Sequence, residues 1–510
     1  MTSRLAYAFV LASIVACGGS AAPPPAPQAV AVSPPAAPTA ATPSASGIWL
    51  GTLHAGAVAL RIQLRVELSH APACSLDSLD QHAIGIPCTA SVAGTALTVD
   101  VPAVKGTMQA TLSADGNTLD GTWSQGGAAL PVTLMRQRSA IEPKPPAIDP
   151  ALPPVDVAQL QDQLEKDLAG ALANGELGPG TGAGITIGVV QHGVRRIFSY
   201  GTAKPDSVFE IGSVSKTFTG LLLAQLVEQK QVRLDEPVRS LLPAGTVAAP
   251  ASGPEITLVD LSAQRSGLPR LPDNFRPADP TDPYADYDKP ALFAFLASHG
   301  VALPAKPEFM YSNLGVGLLG EALAERSGRP YNTLLRDEIT VPLGMTDTGV
   351  ALTASMLVRL VPGHDGNHKP ARAWNLNVLA GAGGIRSTAA DMLTYLEAQL
   401  HPDHLPPTTR TTPARRTLPA ALAASHVVHG DALPGMHIAL NWLRIDETGA
   451  FWHNGATGGY SSFALFDPGA DYAVIVLSNT SIGDRQFTDD LGNHIVARLV
   501  GKPATSLGPR

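Results

Sequence analysis

Residues 209–220 read FEIGSVSKTFTG, and this stretch decides the fold of the larger part of the 510-residue chain. Apolar residues recur at helical spacing after it, so the sequence predicts a helical run that begins at Ser213. One helical turn places Ser213 beside Lys216. A serine hydroxyl becomes a useful nucleophile when a neighbour takes its proton, and a lysine whose pKa is lowered by burial can do so. Because a serine and a lysine at this spacing also occur by chance, two further segments carry the argument.

The first of these segments is the tripeptide Tyr311-Ser312-Asn313, which precedes a second predicted helix. A tyrosine has a reference pKa near ~10, so it acts as a base only beside a cation such as Lys216. The Asn313 amide offers a donor and an acceptor to a substrate amide. The alternative interpretation is a surface turn with a helix cap, since Asn and Ser favour those positions.

The second segment is a glycine-rich strand at residues 452–460, WHNGATGGY. A glycine such as Gly455 lets another backbone approach a strand closely, and we expect that neighbour to be a substrate paired along the strand edge. The backbone N–H of Ala456 would then join that of Ser213 as an oxyanion hole. A single histidine is more often structural than catalytic, but His453 follows a Ser–Lys pair and a Tyr-x-Asn segment in that order.

These three segments, in this order, resemble the penicillin-recognising serine hydrolases. The resemblance is nearest to the branch of class C β-lactamases, DD-peptidases, D-aminopeptidases and related esterases, and it extends over residues 155–499. Three connecting segments are also similar to those of the family: ITLVDLSAQRSGLP (from Ile256), VPLGMTDT (from Val341) and AGAGGIRSTAADM (from Ala380).

The resemblance implies an acyl-enzyme mechanism on a small-molecule or peptide substrate, with no cofactor and no metal ion. Ser213 attacks, Lys216 and Tyr311 manage protons, and water then releases the acyl group. Substrate binding is expected from four residues: Asn313, His453, Gly455 and Ala456. Asn313 in particular is expected to position the acyl amide.

One departure from the family pattern concerns His453, since β-lactamases of this branch usually carry a lysine there. Lysine is a permanent cation for a β-lactam carboxylate, whereas histidine, with a reference pKa of ~6.5, is mostly neutral at neutral pH. Histidine at this position resembles the DD-peptidase, D-aminopeptidase and esterase members. We therefore expect an acyl hydrolase of β-lactams or D-amino-acid peptides. The alternatives are a carboxylesterase with the same site and a penicillin-binding sensor that acylates without turnover.

Hydrophobic periodicity predicts an α+β domain at residues 157–502. Strands are predicted at 185–190, 194–200, 438–443, 451–453, 461–466 and 472–477, and helices at 314–325, 331–338, 389–400 and 487–499. We expect the early and late strands to join one antiparallel sheet, with a helical subdomain inserted between them. The resemblance implies the same arrangement, the β-lactamase/DD-peptidase (transpeptidase-like) fold.

A small all-β domain, a barrel or a sandwich, is predicted at residues 47–137. Leu60, Ile62 and Leu64 alternate there with Arg61 and Gln63, which indicates one buried and one wet strand face. Proline-rich linkers are predicted on either side, at residues 18–46 and 138–156.

Residues 1–17 resemble a lipoprotein-type signal peptide. Their apolar stretch ends in the sequence IVACG, so Cys17 stands where a lipidated, N-terminal cysteine is expected. The alternative is an ordinary secretory signal. We expect an exported bacterial lipoprotein, anchored in a membrane and facing the periplasm or the cell exterior.

Export changes the interpretation of the two other cysteines, Cys74 and Cys88. They lie 88 − 74 = 14 positions apart. In an oxidising compartment a disulfide across a loop of that size would stabilise the domain by ~3 kcal/mol. The alternative is two free thiols, and the pair lacks the spacing of a zinc site.

Several other classes of function are disfavoured by the sequence. The net charge is −8 and no stripe of lysine and arginine occurs, which argues against nucleic acid as a partner. The chain has neither a GxSxG elbow nor a GxxxxGK[ST] loop. Gly315, Gly317 and Gly320 spell GxGxxG inside a predicted helix, which favours close helix packing over a dinucleotide site. The sequence does not predict an oligomeric state.

Overall fold

The structure, a computed structural model, describes residues 44–55, 58–68, 73–79, 83–125, 128–141, 147–405, 412–481 and 486–507. The chain divides into two compact units. The first contains the strands before residue 138, and the second contains every helix and strand from residue 148 onward. Residues 1–43, with Cys17 and the predicted signal peptide, lie outside the described part. Among the described residues, no helix is both long and apolar enough to cross a membrane.

The first unit is a closed antiparallel barrel in which each strand pairs with the next. The strands are β1 (Gly47–Ala55), β2 (Val58–Glu67), β3 (Ala73–Ser78), β4 (Ala83–Ala93), β5 (Ala96–Val101), β6 (Gly106–Leu112), β7 (Thr118–Gln125) and β8 (Ala128–Gln137). Pairing of β8 with β1, from Ile48 opposite Gln137 to Gly51 opposite Leu134, closes the ring. Of the two predicted alternatives, the structure is the barrel.

Side chains along the barrel strands alternate between buried and exposed, as the sequence predicts, and the buried ones fill the interior of the barrel. Leu60, Ile62 and Leu64 are buried, and Arg61 is exposed. Gln63 departs from the pattern, because it is buried although the alternation places it on the wet face. Its amide nitrogen donates to Asp77 Oδ2 at 2.8 Å and to the Ile141 carbonyl at 3.0 Å, so the segment at Ile141 covers this part of the outer wall.

Cys74 on β3 and Cys88 on β4 are direct cross-strand partners, and a disulfide joins them. Because a disulfide restricts the unfolded chain, replacing both cysteines by serine is expected to lower the free energy of unfolding of the barrel by about 3 kcal/mol. Calorimetry of the full chain with and without reductant measures the effect. The double variant serves as the control, because its barrel transition must not respond to reductant. An equally stable double variant would contradict the prediction.

The second unit is built on an eight-stranded antiparallel sheet, with strand order β11-β10-β21-β20-β19-β18-β17-β16. Its strands are β10 (Gly184–Gln191), β11 (Val194–Gly201), β16 (Gly430–Asp431), β17 (Met436–Ile438), β18 (Leu443–Ile445), β19 (Phe451–Ala456), β20 (Ser461–Asp467) and β21 (Tyr472–Ser478). Short strand pairs complete the unit: β9 (Ile148–Asp149) with β22 (Ala504–Thr505), β12 (Phe209–Glu210) with β15 (Arg386–Ser387), and β13 (Gly363–His364) with β14 (Pro370–Ala371). The early and late strands thus join one sheet, as predicted.

Helices cover both faces of this sheet. The helices of the second unit are α1 (Leu160–Asp167), α2 (Ala169–Ala173), α3 (Ser215–Glu228), α4 (Leu258–Ser262), α5 (Lys289–His299), α6 (Asn313–Ser327), α7 (Tyr331–Leu335), α8 (Val341–Leu343), α9 (Ala354–Leu357), α10 (Ala380–Gly383), α11 (Ala389–Leu400), α12 (Pro413–Ser425) and α13 (Phe487–Val500), and α11 and α13 lie against the sheet. Leu491 and Ile495 of α13 share one core with Val474. On the other face, Leu393 of α11 lies against Gly188 and Ile475. Burial on both faces explains why every residue of β20 and β21 is buried.

The predicted strand at residues 438–443 is wrong. β17 ends at Ile438 and β18 begins at Leu443, and the residues between them turn, with the Ala439 N–H donating to the Trp442 carbonyl at 2.8 Å. Asn441 adopts a left-handed backbone with φ of 63°, which asparagine tolerates better than most residues. Its side-chain nitrogen donates to Ser262 Oγ at 3.0 Å, so a tertiary contact holds the turn.

Candidate active site

The site begins at the turn that carries Ser213. The predicted helical run starts later than expected, because Gly212–Val214 form a 3-10 turn and α3 begins at Ser215. Lys216 lies in the first turn of α3, and its Nζ is 3.0 Å from Ser213 Oγ. Gly212 has φ of +49°, and a Cβ there would lie 2.6 Å from the Ala456 nitrogen. Only glycine therefore fits this turn without displacing β19.

Lys216 is buried in the helical subdomain, with 0% of its surface exposed. Besides Ser213, its amine contacts Asn313 Oδ1 at 2.8 Å and the Ala382 carbonyl at 2.6 Å. Burial lowers the pKa of Lys216 well below its ordinary value, and the positive charge of Arg270 lowers it further. A larger share of the neutral amine follows, which is the form that accepts a proton.

Tyr311 and Asn313 lie at the start of α6. Ser312 caps this helix, with its Oγ accepting from the Gly315 N–H at 2.8 Å, so the cap interpretation is confirmed, and the same turn places Asn313 beside Lys216. Lys216 Nζ lies 4.8 Å from the centre of the Tyr311 ring. Asn313 bridges Lys216 and the Tyr284 hydroxyl, to which its amide nitrogen donates at 3.4 Å.

The protonation of Tyr311 differs from what a base requires. Burial raises its pKa to about 12, although the charge of Arg270 and a hydrogen bond with Ser213 act in the opposite direction. At neutral pH the Tyr311 hydroxyl is therefore a proton donor. The expectation that a nearby cation makes this tyrosine a base is outweighed here by burial.

His453 on β19 is buried, with 4% of its surface exposed. Its Nδ1 lies 2.6 Å from the Asn454 carbonyl, an acceptor, so Nδ1 carries the hydrogen of the neutral ring. Burial, and then the charge of Lys216, lower the pKa of His453 to about 3. His453 is consequently neutral at physiological pH, and its ring centre lies 6.3 Å from that of Tyr311.

Gly455 brings β19 against the Ser213 turn. A Cβ on Gly455 would lie 2.2 Å from the Ile211 carbonyl oxygen and 2.8 Å from the Ser213 nitrogen. The close neighbour of this glycine is therefore the chain itself, where we expected a substrate. Within the described ranges, β18 pairs with β19 only at Phe451 and Trp452, and no strand pairs with the same edge from His453 to Ala456. That edge remains open beside Ser213.

A buried carboxylate supports β19 from the opposite face. Asp489 of α13 accepts from Asn454 Nδ2 at 2.8 Å, and its Oδ1 has no hydrogen-bond partner in the part of the chain that the structure describes. Burial raises the pKa of Asp489 to about 7, the hydrogen bond from Asn454 lowers it, and the charge of Asp490 raises it. The sequence gives no signal for this contact, because α13 and β19 are distant along the chain.

This carboxylate predicts a pH dependence of stability. An unfolded aspartate releases its proton near ~3.9, so between that pH and about 7 the folded state binds more protons than the unfolded state. The free energy of unfolding therefore falls as the pH rises through this window. Asp489→Asn keeps an acceptor for Asn454 and removes the charge, so it is expected to be more stable than the wild type above about pH 7, by up to about 4 kcal/mol.

Urea unfolding at about pH 5 and about pH 8 measures this difference. The matched control is Asp235→Asn, because 79% of the Asp235 side chain is exposed. An Asp489→Asn variant whose stability relative to the wild type is the same at both pH values would refute the assignment.

Arg270 and an aromatic wall also border this site, and neither was predicted from the sequence. The guanidinium carbon of Arg270 lies 5.0 Å from the centre of the Tyr311 ring. Tyr284 packs against Phe275 and Trp374, with ring centres 5.1 Å and 5.5 Å apart respectively. The one sequence feature that could have indicated Arg270 is its place in the chain, directly after the family-like segment that begins at Ile256.

The remaining glycine motif lies outside this chemistry. Gly315, Gly317 and Gly320 lie within α6, where a Cβ on Gly317 would meet the Leu379 side chain at 2.5 Å. The interpretation as close helix packing is therefore confirmed. In the residues that the structure describes, no group of three His, Cys, Asp or Glu side chains is arranged to hold a metal ion.

A sheet flanked by helices, with a serine and a buried lysine in contact at its edge, defines the class of this chain as a serine hydrolase. A model described as Beta-lactamase matches residues 175–497, and the chain belongs to the beta-lactamase family. This match confirms the resemblance found in the three sequence segments.

Named relatives agree with this assignment. The chain is 29% identical over 341 residues to the D-alanyl-D-alanine-carboxypeptidase/endopeptidase AmpH of Escherichia coli K12, which covers 63% of this chain and 86% of the relative. It is 26% identical over 340 residues to a beta-lactamase of Pseudomonas fluorescens, which covers 58% and 88%. A crystal structure of a class C beta-lactamase from Rhodobacter sphaeroides covers 62% of this chain and 93% of its own, with a TM-score of 0.50 and 24% identity. That likeness confirms the predicted fold.

Proposed function

We propose that this chain hydrolyses D-amino-acid peptides or β-lactams through an acyl-enzyme on Ser213. The observation that carries the proposal is the 3.0 Å contact between Lys216 Nζ and Ser213 Oγ inside a buried site. The relatives named above include both a carboxypeptidase/endopeptidase and a beta-lactamase. Of these two substrate classes, the neutral His453 favours D-amino-acid peptides, because it offers no permanent cation to a β-lactam carboxylate.

Acylation follows from the protonation states of the three side chains. Neutral Lys216 takes the Ser213 proton while Oγ forms a bond to the substrate carbonyl carbon. The N–H groups of Ser213 and Ala456 stabilise the oxyanion. The C–N bond then breaks, the Tyr311 hydroxyl gives its proton to the leaving nitrogen, and Lys216 returns a proton to Tyr311.

Deacylation reverses the same proton path. A water molecule attacks the ester carbonyl carbon, its proton passes to the Tyr311–Lys216 pair, and Ser213 recovers a proton as the acid product leaves. The open edge of β19 from His453 to Ala456 would pair with the substrate backbone, and the second hydrogen of the Asn313 amide nitrogen would bind the acyl amide.

Three substrates test the proposal on the wild type and on Ser213→Ala: a D-Ala-D-Ala peptide, a chromogenic cephalosporin and a short-chain nitrophenyl ester. Turnover of the peptide or the cephalosporin that is lost in Ser213→Ala supports the proposal. Turnover of the ester alone makes the chain a carboxylesterase. A stable adduct on Ser213 without turnover makes it a penicillin-binding sensor, and equal behaviour of both proteins on all three substrates refutes the role of Ser213.

We further propose that the protein is an exported lipoprotein anchored through Cys17 and facing the periplasm or the cell exterior. The sequence IVACG around Cys17 supports this, as does the Cys74–Cys88 disulfide, because such bonds persist in oxidising compartments. Expression of the wild type and Cys17→Ser in a bacterial host tests it. The wild type is expected in the membrane fraction and the variant in the soluble or unprocessed fraction, and identical fractionation would refute the anchor.

A further inference from the structure

A polar cavity lies beside the first turn of α13, at the end of the sheet where β20 begins and β21 ends. Its volume is about 180 Å³, several times the ~30 Å³ that one water molecule occupies in the liquid. Four residues of the catalytic site do not line it: Ser213, Lys216, Tyr311 and His453. Gly455 does line it, and this glycine also lies against the Ser213 turn. The cavity is therefore separate from the catalytic residues but shares β19 with them.

Three hydroxyl groups of the cavity wall have unused acceptor capacity. Ser461 Oγ donates to the Thr480 carbonyl at 2.7 Å, so the 2.6 Å contact between Ser461 Oγ and Thr488 Oγ1 uses the hydrogen of Thr488. Thr480 Oγ1 is a buried atom and has no hydrogen-bond partner within the described ranges. A hydroxyl oxygen has two lone pairs, so all three oxygens can still accept a hydrogen bond. The wall therefore favours a ligand that donates hydrogen bonds.

Asp489 is a buried carboxylate of the same wall, with 4% of its surface exposed. Its Oδ2 accepts from Asn454, and its Oδ1 has no partner in the part of the chain that the structure describes. The side chains that influence its pKa are Asn454 and Asp490, and neither is a cation. A buried carboxylate is costly unless a positive charge and hydrogen bonds compensate it. The cavity has the room for the cation that is missing here.

The charges of the wall determine which kind of ligand fits. Glu176 contributes a second carboxylate, and none of the described lining residues is a lysine or an arginine, the side chains that stay cationic above neutral pH. An anion would therefore be repelled. A metal ion would fill a small part of the volume, and the described residues hold no group of three His, Cys, Asp or Glu arranged for one. A primary ammonium group donates three hydrogen bonds and accepts none, which matches a carboxylate oxygen and several hydroxyl lone pairs.

We propose that this cavity binds a small aliphatic amine in its ammonium form. The ammonium group lies against Asp489 and donates its other hydrogens to the hydroxyl oxygens of the wall. The alkyl part lies against Leu177 and Phe487, the large apolar side chains among the described lining residues. The inference is independent of the proposed function, because the catalytic side chains take no part in it. Since Asp489 also accepts from Asn454 of β19, the bound amine supports the strand that carries the Ala456 N–H.

Isothermal titration calorimetry of the full chain with butylammonium chloride tests the proposal. The titration is made at about pH 8, where Asp489 is ionised, in phosphate buffer, which contains no amine. A dissociation constant of about 1–10 mM is expected for a ligand of about five heavy atoms. Sodium chloride and 1-butanol are the matched ligands, because the first lacks the alkyl group and the second lacks the charge. Both are expected to bind at least about 10-fold more weakly.

Two variants of the wall locate the bound amine. Asp489→Asn keeps the acceptor for Asn454 and removes the charge, so it is expected to weaken butylammonium binding by about 10- to 100-fold. Thr480→Val keeps the shape and removes a hydroxyl that has no other partner in the described chain, so a loss of about 2- to 10-fold is expected. Asp235→Asn is the control, because its exposed carboxylate is expected to have no effect on binding.

Ser213→Ala separates this inference from the proposed function, since it is expected to bind butylammonium as the wild type does even if no substrate is turned over. Loss of binding in Ser213→Ala would place the amine in the catalytic site and refute the proposal. Equal affinity for 1-butanol and butylammonium, or unchanged affinity in Asp489→Asn, would refute the pairing of the amine with the carboxylate. The absence of saturable binding to the wild type at about 100 mM butylammonium would refute the site itself.

Discussion

Lys216→Met is expected to slow the acylation of Ser213 by about 10²- to 10⁴-fold, the range that a positioned proton acceptor contributes. Methionine has a similar length and no amine, so Ser213 Oγ loses the acceptor that lies 3.0 Å away. Since burial of Lys216 lowers its pKa, the wild-type acylation rate is expected to rise with pH as the neutral amine forms. That rise should disappear in the variant. Stopped-flow acylation with a chromogenic substrate across a pH series measures both effects.

A matched control for this experiment is Lys166→Met, which removes an exposed lysine on α1 and leaves the site intact. Circular dichroism of both variants is the check that they are folded. If Lys216→Met acylates at the wild-type rate and keeps the wild-type pH profile, another group takes the Ser213 proton. Tyr311 would then be the first candidate, in spite of the pKa of about 12 that burial gives it.

Gly455→Ala is expected to lower kcat/KM by about 10²-fold or more, although no functional group is removed. The new Cβ would lie 2.2 Å from the Ile211 carbonyl oxygen and 2.8 Å from the Ser213 nitrogen. β19 and the Ser213 turn must therefore separate, which displaces the Ser213 and Ala456 N–H groups from each other. A displacement of about 1 Å at a reacting centre costs on the order of 10²-fold in rate. We expect the loss in kcat, because an oxyanion hole acts on the transition state.

Gly430→Ala is the matched control, because Gly430 lies in the same sheet and a Cβ there would meet nothing closer than the Ile438 side chain at 3.9 Å. Its kcat/KM is expected to remain at the wild-type value. A folded Gly455→Ala variant with wild-type kcat would show that the spacing between β19 and the Ser213 turn is not what positions the oxyanion donors.

The sequence predicted the fold, and the structure brings several of the predicted site residues together, but their interactions did not follow from the sequence. Ser213, Lys216, Tyr311 and Asn313 meet as the three segments suggested. Gly455 was correctly read as a point of close approach, but its neighbour is the Ser213 turn. Strand 438–443 was predicted from apolar residues alone, and the turn there depends on Asn441 reaching Ser262 from another part of the chain.

The local sequence determined the contacts between residues that lie close together along the chain. Residues three apart in a helical turn lie side by side whatever surrounds them, so the Ser213–Lys216 contact followed from spacing. Period-two alternation likewise predicted the barrel strands, since successive strand residues face opposite sides. A disulfide between Cys74 and Cys88 requires only that the two residues face each other on paired strands in an oxidising compartment.

Only the tertiary structure determined the pKa values of the side chains in the site. The pKa of a side chain depends on the water it loses and on the charges that other segments bring near it. Burial made Tyr311 a donor and His453 neutral, and the tie between the Arg270 carbonyl and α6 brought a permanent cation to Tyr311. The stretch FEIGSVSKTFTG therefore determined that Ser213 and Lys216 lie in contact, whereas the burial of Lys216 and the charge near it depend on segments that are distant along the chain.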